Sequence, residues 1–244
     1  DTASGSITFA DADLTDTHEV TVNGVTASGV MTGLVDHDTQ LGWLTLGDLV
    51  DSTDQIAGSQ AWSFSAPDHY FDYLADGEIV TLTYTVQIDD HHGGFTSQDV
   101  VVTVTGSNDA PTLAAELAGK LADTAANDSF ADITGTLDGS DADHGETATL
   151  KYAVLDGSSA VNTAVAGLYG SLTVNADGTY TYVPNPAAIN ALQGGNYIDT
   201  FTVQTTDVHG AVGTAVLTVD VNGANDTPSI VGEVDPPAQI IVVA

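Results

Sequence analysis

The chain has no cysteine and almost no basic residues. Of its 244 residues none is Cys, and only 2 are Lys or Arg against 34 Asp and Glu, so the formal net charge at pH 7 is −32. Without cysteine there is no disulfide bond and no thiolate to bind zinc or act as a nucleophile. Nucleic-acid binding needs clustered Lys and Arg that contact phosphates. The composition therefore excludes nucleic acid as a partner and disfavours binding to an anionic membrane surface.

Long hydrophobic runs are also missing. No apolar stretch approaches the roughly 20 residues that a membrane-spanning helix requires, so we expect no membrane insertion. The sequence starts at Asp1 with neither a signal peptide nor an initiator Met, and we expect it to be a fragment of a longer protein. Hydrophobic residues still make up 42% of the chain, in alternating runs, which argues against disorder. The acidity then has two compatible explanations, adaptation to salt and a fold that depends on divalent cations.

Short runs of Val, Thr, Leu and Tyr with period-two alternation predict β-strands along the whole chain. Each half has about six or seven such runs and almost no helix, which predicts an all-β protein of two β-sandwich modules. The Asp177-Gly178 pair predicts a hairpin turn. The predicted elements used below are strands at 41–46, 79–88, 95–105, 130–137, 200–206 and 211–221, a hairpin at 170–183, a long loop at 47–58, and helical turns within 68–77 and 186–192.

Two acidic segments mark an internal repeat. We call residues 106–111 (GSNDAP) and 223–228 (GANDTP) the first and second Asn-Asp segments; each follows a predicted strand and ends in a proline that forces an extended exit. Asn108 and Asn225 are 117 residues apart, as are Gly93 and Gly210, which supports a true repeat. We predict modules at 1–106 and 107–224, the first lacking its first strand, and a linker with the opening strand of a following module at 225–244.

Several motifs in order resemble a known family. Residues 6–17, 73–86, 89–94 and 102–111, and in the second half 170–182, 199–203 and the second Asn-Asp segment, are similar to VCBS repeats. These are cadherin-like modules of large bacterial surface adhesins of the RTX type. The resemblance implies tandem immunoglobulin/cadherin-like β-sandwich modules in an elongated arrangement, secreted or on the bacterial cell surface. It also implies calcium at the module junctions and neighbouring repeats of the same polypeptide as partners.

The loop order of such a sandwich predicts where calcium ligands meet. Calcium takes about six to eight oxygen ligands, and carboxylates about 4 Å apart repel by roughly 4 kcal/mol at an effective dielectric near 20 when no cation is present. We expect a main junction site, an incomplete site at the N-terminal pole and a C-terminal joint. The last should be poorer in ligands, because residues 192–196 hold no carboxylate where the first half has Asp76 and Glu78. The predicted ligands are Asp76, Glu78, Asn108, Asp109, Asp141, Asp143 and Asp207 at the junction, Asp11, Asp13, Asp89 and Asp90 at the pole, and Asn225 and Asp226 at the joint.

Other chemistries find less support. His91 and His92 beside Asp89 suggest zinc or copper, but adjacent His residues in a Gly-rich turn also suit the turn geometry alone. The sequence has no Gly-x-Ser-x-Gly elbow, His-Glu-x-x-His motif or phosphate loop. Catalytic carboxylate pairs need a cleft that tunes their pKa. We therefore expect no enzymatic activity.

The leading hypothesis is that the chain consists of structural extender repeats of a secreted adhesin, stiffened by calcium and supporting cell adhesion or biofilm formation. The alternative is a carbohydrate- or protein-binding module that recognises surface glycans or proteins through residues 47–58 and Trp43. The alternation places Trp43 on the outer face of a sheet, near Asp48, Asp51 and Asp54. An exposed Trp beside carboxylates suits stacking on a sugar. The competing interpretation is that the long loop covers the ring.

Overall fold

The computed structural model describes residues 1–13, 15–52 and 56–228. Asp54 and the predicted opening strand at 229–244 lie outside these ranges. The chain divides into two compact units, which are described separately. The first unit comprises Asp1–Thr112, Gly139–Leu150 and Thr206–Val212, and the second comprises Leu113–Asp138, Lys151–Thr205 and Gly213–Ala244.

The first unit is a sandwich of two three-stranded sheets. One sheet has the order β1-β4-β3 and the other β2-β5-β6, all antiparallel. A short helix α1 lies between β2 and β3, and a 3-10 turn at Asp68–Tyr70 lies between β4 and β5. The bounds are β1 Thr2–Phe9, β2 Glu19–Gly29, α1 His37–Leu41, β3 Leu44–Val50, β4 Gly58–Ser65, β5 Ile79–Asp89 and β6 Phe95–Thr105.

Strand β5 shows why these residues form a sandwich. Its alternate side chains are buried and the intervening ones are half-buried or exposed. Each fully buried apolar side chain contributes about 1.5–3 kcal/mol, and a strand with this period can bury them only on one face. The buried residues of β5 are Val80, Leu82, Tyr84, Val86 and Ile88.

The second unit contains a five-stranded and a four-stranded sheet. The larger has the order β12-β11-β16-β17-β8 and the smaller β13-β14-β15-β9. Of two short strands, β10 belongs to the first unit, and β7 lies where the chain passes from the first unit to the second. Helix α2 follows β15. The bounds are β7 Thr112–Leu113, β8 Glu116–Ala122, β9 Ile133–Thr136, β10 Gly139–Ser140, β11 Lys151–Asp156, β12 Ser159–Val161, β13 Val165–Ala166, β14 Gly170–Val174, β15 Thr179–Pro184, α2 Pro186–Ile189, β16 Gly195–Thr206 and β17 Val212–Gly223.

The two units differ at one sheet edge. In the second unit β8 runs parallel to β17, with Leu217 opposite Glu116. In the first unit β6, the counterpart of β17, pairs only with β5 among the described residues. The outer edge of β6 is therefore open where that of β17 is covered.

The all-β prediction is confirmed. The hairpin β14-β15 turns at Asp177 and Gly178, where Gly178 has φ 88°. The helical turns expected within 68–77 and 186–192 are present as the 3-10 turn and α2.

Two local predictions are wrong. The strand predicted at 41–46 is β3, Leu44–Val50, because residues 37–41 form α1, capped by the Asp36 side chain. Residues 47–50, which were predicted to begin the loop 47–58, therefore belong to β3. The strand predicted at 130–137 shortens to β9, because only Ile133–Thr136 pair with β15.

No helix in the described part of the chain is long and apolar enough to cross a membrane.

Candidate metal centre

The first Asn-Asp segment lies against the loop before β5, and a glycine permits the close approach. The N–H of Gly106 donates to the carbonyl of Glu78 (2.8 Å), and the N–H of Gly77 donates to the carbonyl of Gly106 (3.2 Å). A Cβ atom at Gly106 would lie 2.2 Å from the carbonyl oxygen of Leu74. A side chain at this position would therefore displace the segment that follows β6.

Of the two predicted ligands before β5, only Glu78 is fixed by the structure. Its Oε2 accepts a hydrogen bond from the N–H of Ala75 (3.2 Å), and its Oε1 lies 3.4 Å from Nδ1 of His144. Asp76 is exposed and makes no hydrogen bond to the described residues. The Glu78 side chain therefore lies beside His144, the residue after Asp143, whereas Asp76 has no such contact among the described residues.

The Asp-x-Asp motif of the second half folds into a turn that holds the first Asn-Asp segment. Asp141 Oδ1 accepts from the N–H of Asp143 (3.0 Å), and Asp143 Oδ2 accepts from the N–H of Asp109 (2.9 Å). Gly145, at φ 80°, reverses the chain into the 3-10 turn Glu146–Thr149. All these residues belong to the first unit.

Asp207 is held by the turn before β17. Its Oδ1 accepts from the N–H groups of His209 (2.9 Å) and Ala211 (2.8 Å), and its Oδ2 accepts from the side-chain amide of Asn108 (3.0 Å). Burial raises the pKa of Asp207, but these hydrogen bonds outweigh burial and lower it below the usual range. Asp207 is therefore negatively charged at neutral pH.

Glu146 is a central member of the cluster that sequence reasoning missed. Oxygens of Asp141, Glu146 and Asp207 lie within 4.8 Å of one another, and Glu146 is only 7% exposed. His209 Nε2 lies 3.2 Å from Glu146 Oε1. The overlooked signal is spacing, because Glu146 follows Asp143 by three residues in an Asp-x-Asp-x-x-Glu pattern.

Four oxygens of this cluster are buried and have no hydrogen-bond partner in the part of the chain that the structure describes. They are Asn108 Oδ1, Asp141 Oδ2, Asp143 Oδ1 and Glu146 Oε2. A buried polar atom without a partner costs about 1–3 kcal/mol, and more when it is charged. A single ligand that supplies positive charge would satisfy all four oxygens at once.

The pKa shifts also indicate excess negative charge. Burial raises the pKa of Asp109, and the charges of Asp72, Asp141 and Asp68 raise it further. Burial likewise raises the pKa of Asp143, with Asp141 among the charges that add to the effect. A bound cation would instead lower the pKa of both carboxyl groups, because it favours their charged form.

The donor set fits calcium. The four buried atoms without a partner are all carboxylate or amide oxygens, which is the chemistry that Ca²⁺ prefers, and no thiolate is available. Asp68 and Asp72, neither predicted as a ligand, line a small pocket of about 80 Å³ with Asp109. The residues that would hold the ion are Glu78, Asn108, Asp109, Asp141, Asp143, Glu146 and Asp207.

The N-terminal pole repeats part of this arrangement. Asp11 Oδ1 accepts from the N–H of Asp13 (2.9 Å), and oxygens of Asp11, Asp13 and Asp16 lie within 4.8 Å of one another. Asp16, which was not predicted, follows Asp13 by three residues as Glu146 follows Asp143. Asp11 also binds the buried His18, at 3.1 Å from Nε2.

The predicted pole ligands Asp89 and Asp90 stabilise a turn. Asp89 Oδ1 accepts from the N–H of His91, and Asp90 Oδ1 accepts from the N–H groups of His92 and Gly94. Asp90 thus repeats the geometry of Asp207 one period earlier. His92 Nδ1 lies 3.3 Å from Asp16. Both histidines are exposed, and of the two rings only that of His92 contacts a carboxylate among the described residues.

The second Asn-Asp segment has the same local geometry as the first. The side-chain amide of Asn225 donates to the carbonyl of Asp226 (3.2 Å), as that of Asn108 donates to the carbonyl of Asp109 (2.8 Å). Asp226 Oδ1 is buried and has no hydrogen-bond partner among the described residues. Asp123, which was not predicted, accepts from the N–H of Ala224 (3.0 Å) and leaves its own Oδ1 buried without a partner.

The outward orientation predicted for Trp43 is wrong. The residue is 6% exposed and packs against Phe64, Tyr70 and Phe71, with ring centroids 5.4–6.2 Å apart. The physical reason is that α1 ends at Leu41 and displaces the start of β3, so the alternation assumed from residue 41 does not apply at Trp43. The ring offers no exposed face for a sugar.

Comparison with known proteins gives one family match. Residues 108–223 match the sequence profile of the family described as bacterial cadherin-like domain, which is just under half of the chain. The match agrees with a cadherin-like module in this segment. No curated protein matches the chain.

Several solved protocadherin structures are similar at low identity. The chain is 12% identical to mouse clustered PcdhgC3 EC1-3, covering 86% of this chain and 63% of that one, with a TM-score of 0.35. For the protocadherin gammaB7 EC3-6 cis-dimer structure the identity is 15%, the coverage 91% and 51%, and the TM-score 0.37. For protocadherin gamma B2 extracellular cadherin domains 3-6 the values are 15%, 86% and 50%, and 0.39. The chain spans less than two thirds of the length of each.

Proposed function

We propose that the protein is a pair of structural extender repeats of a secreted or surface-attached bacterial adhesin of the VCBS type, and that calcium stiffens it. The observation that carries the proposal is the set of four buried, unpartnered oxygens on Asn108, Asp141, Asp143 and Glu146. The family match at residues 108–223 supports a cadherin-like module. The proposal assigns the chain a mechanical role in adhesion or biofilm formation and no catalytic step.

The mechanism follows from the charges. When no cation is bound, Asp141, Glu146 and Asp207 repel one another. The repulsion energy is roughly 4 kcal/mol for each pair of charges at about 4 Å and an effective dielectric near 20. Calcium supplies the positive charge that these oxygens lack. Because Asn108 and Asp109 belong to the same set, binding would fix the first Asn-Asp segment to the loops at 139–150 and 206–212.

Calcium titration tests the proposal directly. We expect calorimetry to show binding to the chelated protein and calcium to raise the melting temperature by several degrees, since saturation at 100 times Kd stabilises by about 2.7 kcal/mol. Sodium chloride of equal ionic strength is the control for charge screening. Equal stabilisation by both salts would show that the acidity serves salt adaptation alone.

Small-angle scattering tests the stiffening. We expect the maximum dimension to change when calcium is chelated, because the first Asn-Asp segment then loses its anchor. An unchanged dimension in a protein that demonstrably binds calcium would contradict the mechanical role while leaving the metal site intact.

A further inference from the structure

A groove lies on the outer face of the five-stranded sheet in the second unit, where β16, β17 and β8 are neighbours. It has a volume of about 320 Å³, and its lining residues all belong to this unit. A groove of this size is at the small end of the range for small-molecule sites. The lining residues are Lys120, Asn196, Tyr197, Ile198, Asp220 and Asn222.

Strand alternation puts the polar side chains of the groove on the solvent side of the sheet. On β17, Val219 and Val221 are fully buried, so the alternating Asp220 and Asn222 point away from the core. On β16, the residue before the buried Asp199 is Ile198, which is 54% exposed and faces the same side. The groove is therefore separate from the core of the unit.

An ion pair leaves the groove without net charge. Lys120 lies opposite Asp220 in the parallel pair of β8 and β17, and its Nζ is 3.2 Å from Asp220 Oδ2. The Lys120 side chain is 68% exposed. Its ammonium group has three N–H donors, so it can bind a further acceptor while it stays paired. The pair thus offers both a donor and an acceptor to a ligand.

Two amides and one apolar side chain complete the groove. The side chains of Asn196 and Asn222 are exposed and make no hydrogen bond to the described residues. Each amide provides donors and an acceptor, and Ile198 adds an apolar surface beside them. Tyr197 is fixed, because its hydroxyl donates to the carbonyl of Gln193 (3.3 Å). Unpartnered polar groups therefore lie next to an apolar contact and a fixed wall.

The first unit lacks this chemistry at the matching positions. Thr81 lies opposite Thr103 there, and their hydroxyl oxygens are 3.3 Å apart. The amides and the carboxylate of the groove are therefore particular to the second unit, and the repeated fold does not require them. The period of 117 residues aligns Asn196, Ile198, Asp220 and Asn222 with Ile79, Thr81, Thr103 and Thr105.

The chemistry of the groove favours a neutral sugar as its ligand. A chain of net charge −32 repels anions. Calcium needs about six to eight oxygens, whereas the single carboxylate here is already paired with Lys120. Sugar hydroxyls both donate and accept hydrogen bonds, which matches an ammonium group, a carboxylate and two amides side by side. The C–H groups of a sugar ring can pack against Ile198.

We propose that the Lys120–Asp220 groove binds one neutral sugar unit of an oligosaccharide or polysaccharide. Lys120 donates to one ring hydroxyl and Asp220 accepts from its neighbour. Asn196 and Asn222 bind further hydroxyls, and Ile198 supports the ring. This site is distinct from the glycan site predicted at Trp43, and it does not depend on calcium.

Nuclear magnetic resonance titration of the full 1–244 chain tests the proposal. The probes are maltotriose, cellotriose and mannotriose, which are neutral, and trigalacturonate, which is anionic. We expect at least one neutral probe to shift the side-chain amide signals of Asn196 and Asn222 in a saturable way, with a Kd of about 1 mM. Trigalacturonate should shift neither signal. The chelated and the calcium-loaded protein should bind the neutral probe equally, so this test is independent of the metal site.

Matched variants assign the binding to the groove. Lys120→Met keeps most of the side-chain length and should weaken binding roughly tenfold, because a hydrogen bond from a charged donor is lost. Asn222→Ala should weaken it roughly threefold or more. Lys151→Met is the control, since Lys151 is the other lysine of the chain, is exposed on β11 of the same unit and does not line the groove. Melting curves of all three variants establish that each is folded.

Three results would overturn the proposal. One is that no neutral probe shifts the Asn196 and Asn222 amides up to the solubility limit of the probes. Another is that Lys120→Met and Lys151→Met bind the neutral probe equally well. The third is that calcium chloride alone shifts the same two amide signals, since the groove would then be a cation site.

Discussion

At the scale of single residues, the candidate metal centre depends on carboxylates whose neighbours fix them before any ion arrives. Asp207 is held by three N–H donors and Asp143 by one. In Asp143 the donor engages Oδ2 and leaves Oδ1 available to bind a cation. Preorganised oxygens of this kind are what a calcium loop requires.

Glu146→Gln tests the residue that the sequence pattern did not reveal. The substitution keeps the shape but removes a buried charge, so we expect calcium affinity to fall roughly tenfold to a hundredfold. Calorimetry measures the change. Asp76→Asn is the matched control, because Asp76 is exposed and makes no described hydrogen bond, and it should leave the affinity near that of the parent. Equal losses in the two variants would argue against a direct role for Glu146.

A second buried carboxylate has a purely structural role. Asp199, 1% exposed, accepts hydrogen bonds from the N–H groups of Leu168 (2.8 Å) and Tyr169 (3.0 Å) and from the hydroxyl of Tyr182 (2.9 Å). It therefore fixes the chain before β14 to β16. The sequence placed Asp199 only within a β-run of the resemblance and gave no reason for its acidity.

Asp199→Ala should destabilise the second unit by about 2–4 kcal/mol, because three buried donors lose their acceptor. Urea unfolding measures the loss, and it should be the same with and without calcium. Asp156→Ala, an exposed acid at the end of β11, is the control and should change stability by less than about 0.5 kcal/mol. A loss that disappears in calcium would assign Asp199 to metal binding instead.

At the scale of elements, turns rather than strands position the chemistry. The same turn occurs at Asp90 and at Asp207, each carboxylate accepting N–H bonds from residues two and four positions later. The Asp-x-Asp turns at Asp11 and Asp141 are also alike. The repeat therefore preserves turn geometry where the flanking strands differ in length.

Gly106→Ala tests how the first Asn-Asp segment is placed. The new Cβ would lie 2.2 Å from the carbonyl of Leu74 and 2.5 Å from that of Ala75, both backbone atoms that cannot move cheaply. We expect a loss of stability of about 1–3 kcal/mol and weaker calcium binding. Gly24→Ala is the control, since nothing lies within 4 Å of its Cβ position. A tolerated Gly106→Ala would show that the segment can shift without loss.

At the scale of the whole molecule, net charge and the cation set the conditions for stability. A charge of −32 with only 2 basic residues destabilises a compact state through self-repulsion. Monovalent salt screens this repulsion over the whole surface, whereas calcium acts where oxygens converge. The two effects are separable by experiment.

We expect calcium at millimolar concentration to raise the melting temperature more than sodium chloride of the same ionic strength. Magnesium is a further control, because it demands octahedral geometry and dehydrates reluctantly, and it should stabilise less. The difference between calcium and sodium should shrink in Glu146→Gln. A difference that is unchanged in this variant would place the responsible ion elsewhere, with the Asp11, Asp13 and Asp16 cluster as the next candidate.

Much of the site was accessible from the sequence because its ligands sit in recurring motifs. The loop order of the resembled sandwich predicted six of these residues, and hydrogen bonds or close oxygens connect five of them: Asn108, Asp109, Asp141, Asp143 and Asp207. The sixth, Glu78, contacts His144. Asp76 was predicted as a ligand but makes no described hydrogen bond, and Glu146 was not predicted but lies within the cluster. Whether an acid near a turn faces a cluster depends on backbone direction within one or two residues, which periodicity does not determine.

The sequence by itself determined the all-β class, the repeat of 117 residues and the acidic turns, because alternation and turn chemistry are local properties of the chain. Only the tertiary structure decided which oxygens are buried without partners among the described residues and that Trp43 is enclosed. These properties depend on contacts between residues distant in the chain. The burial of a side chain and the pairing of a polar atom are set by residues far away in the sequence, so local alternation and turn motifs do not predict them.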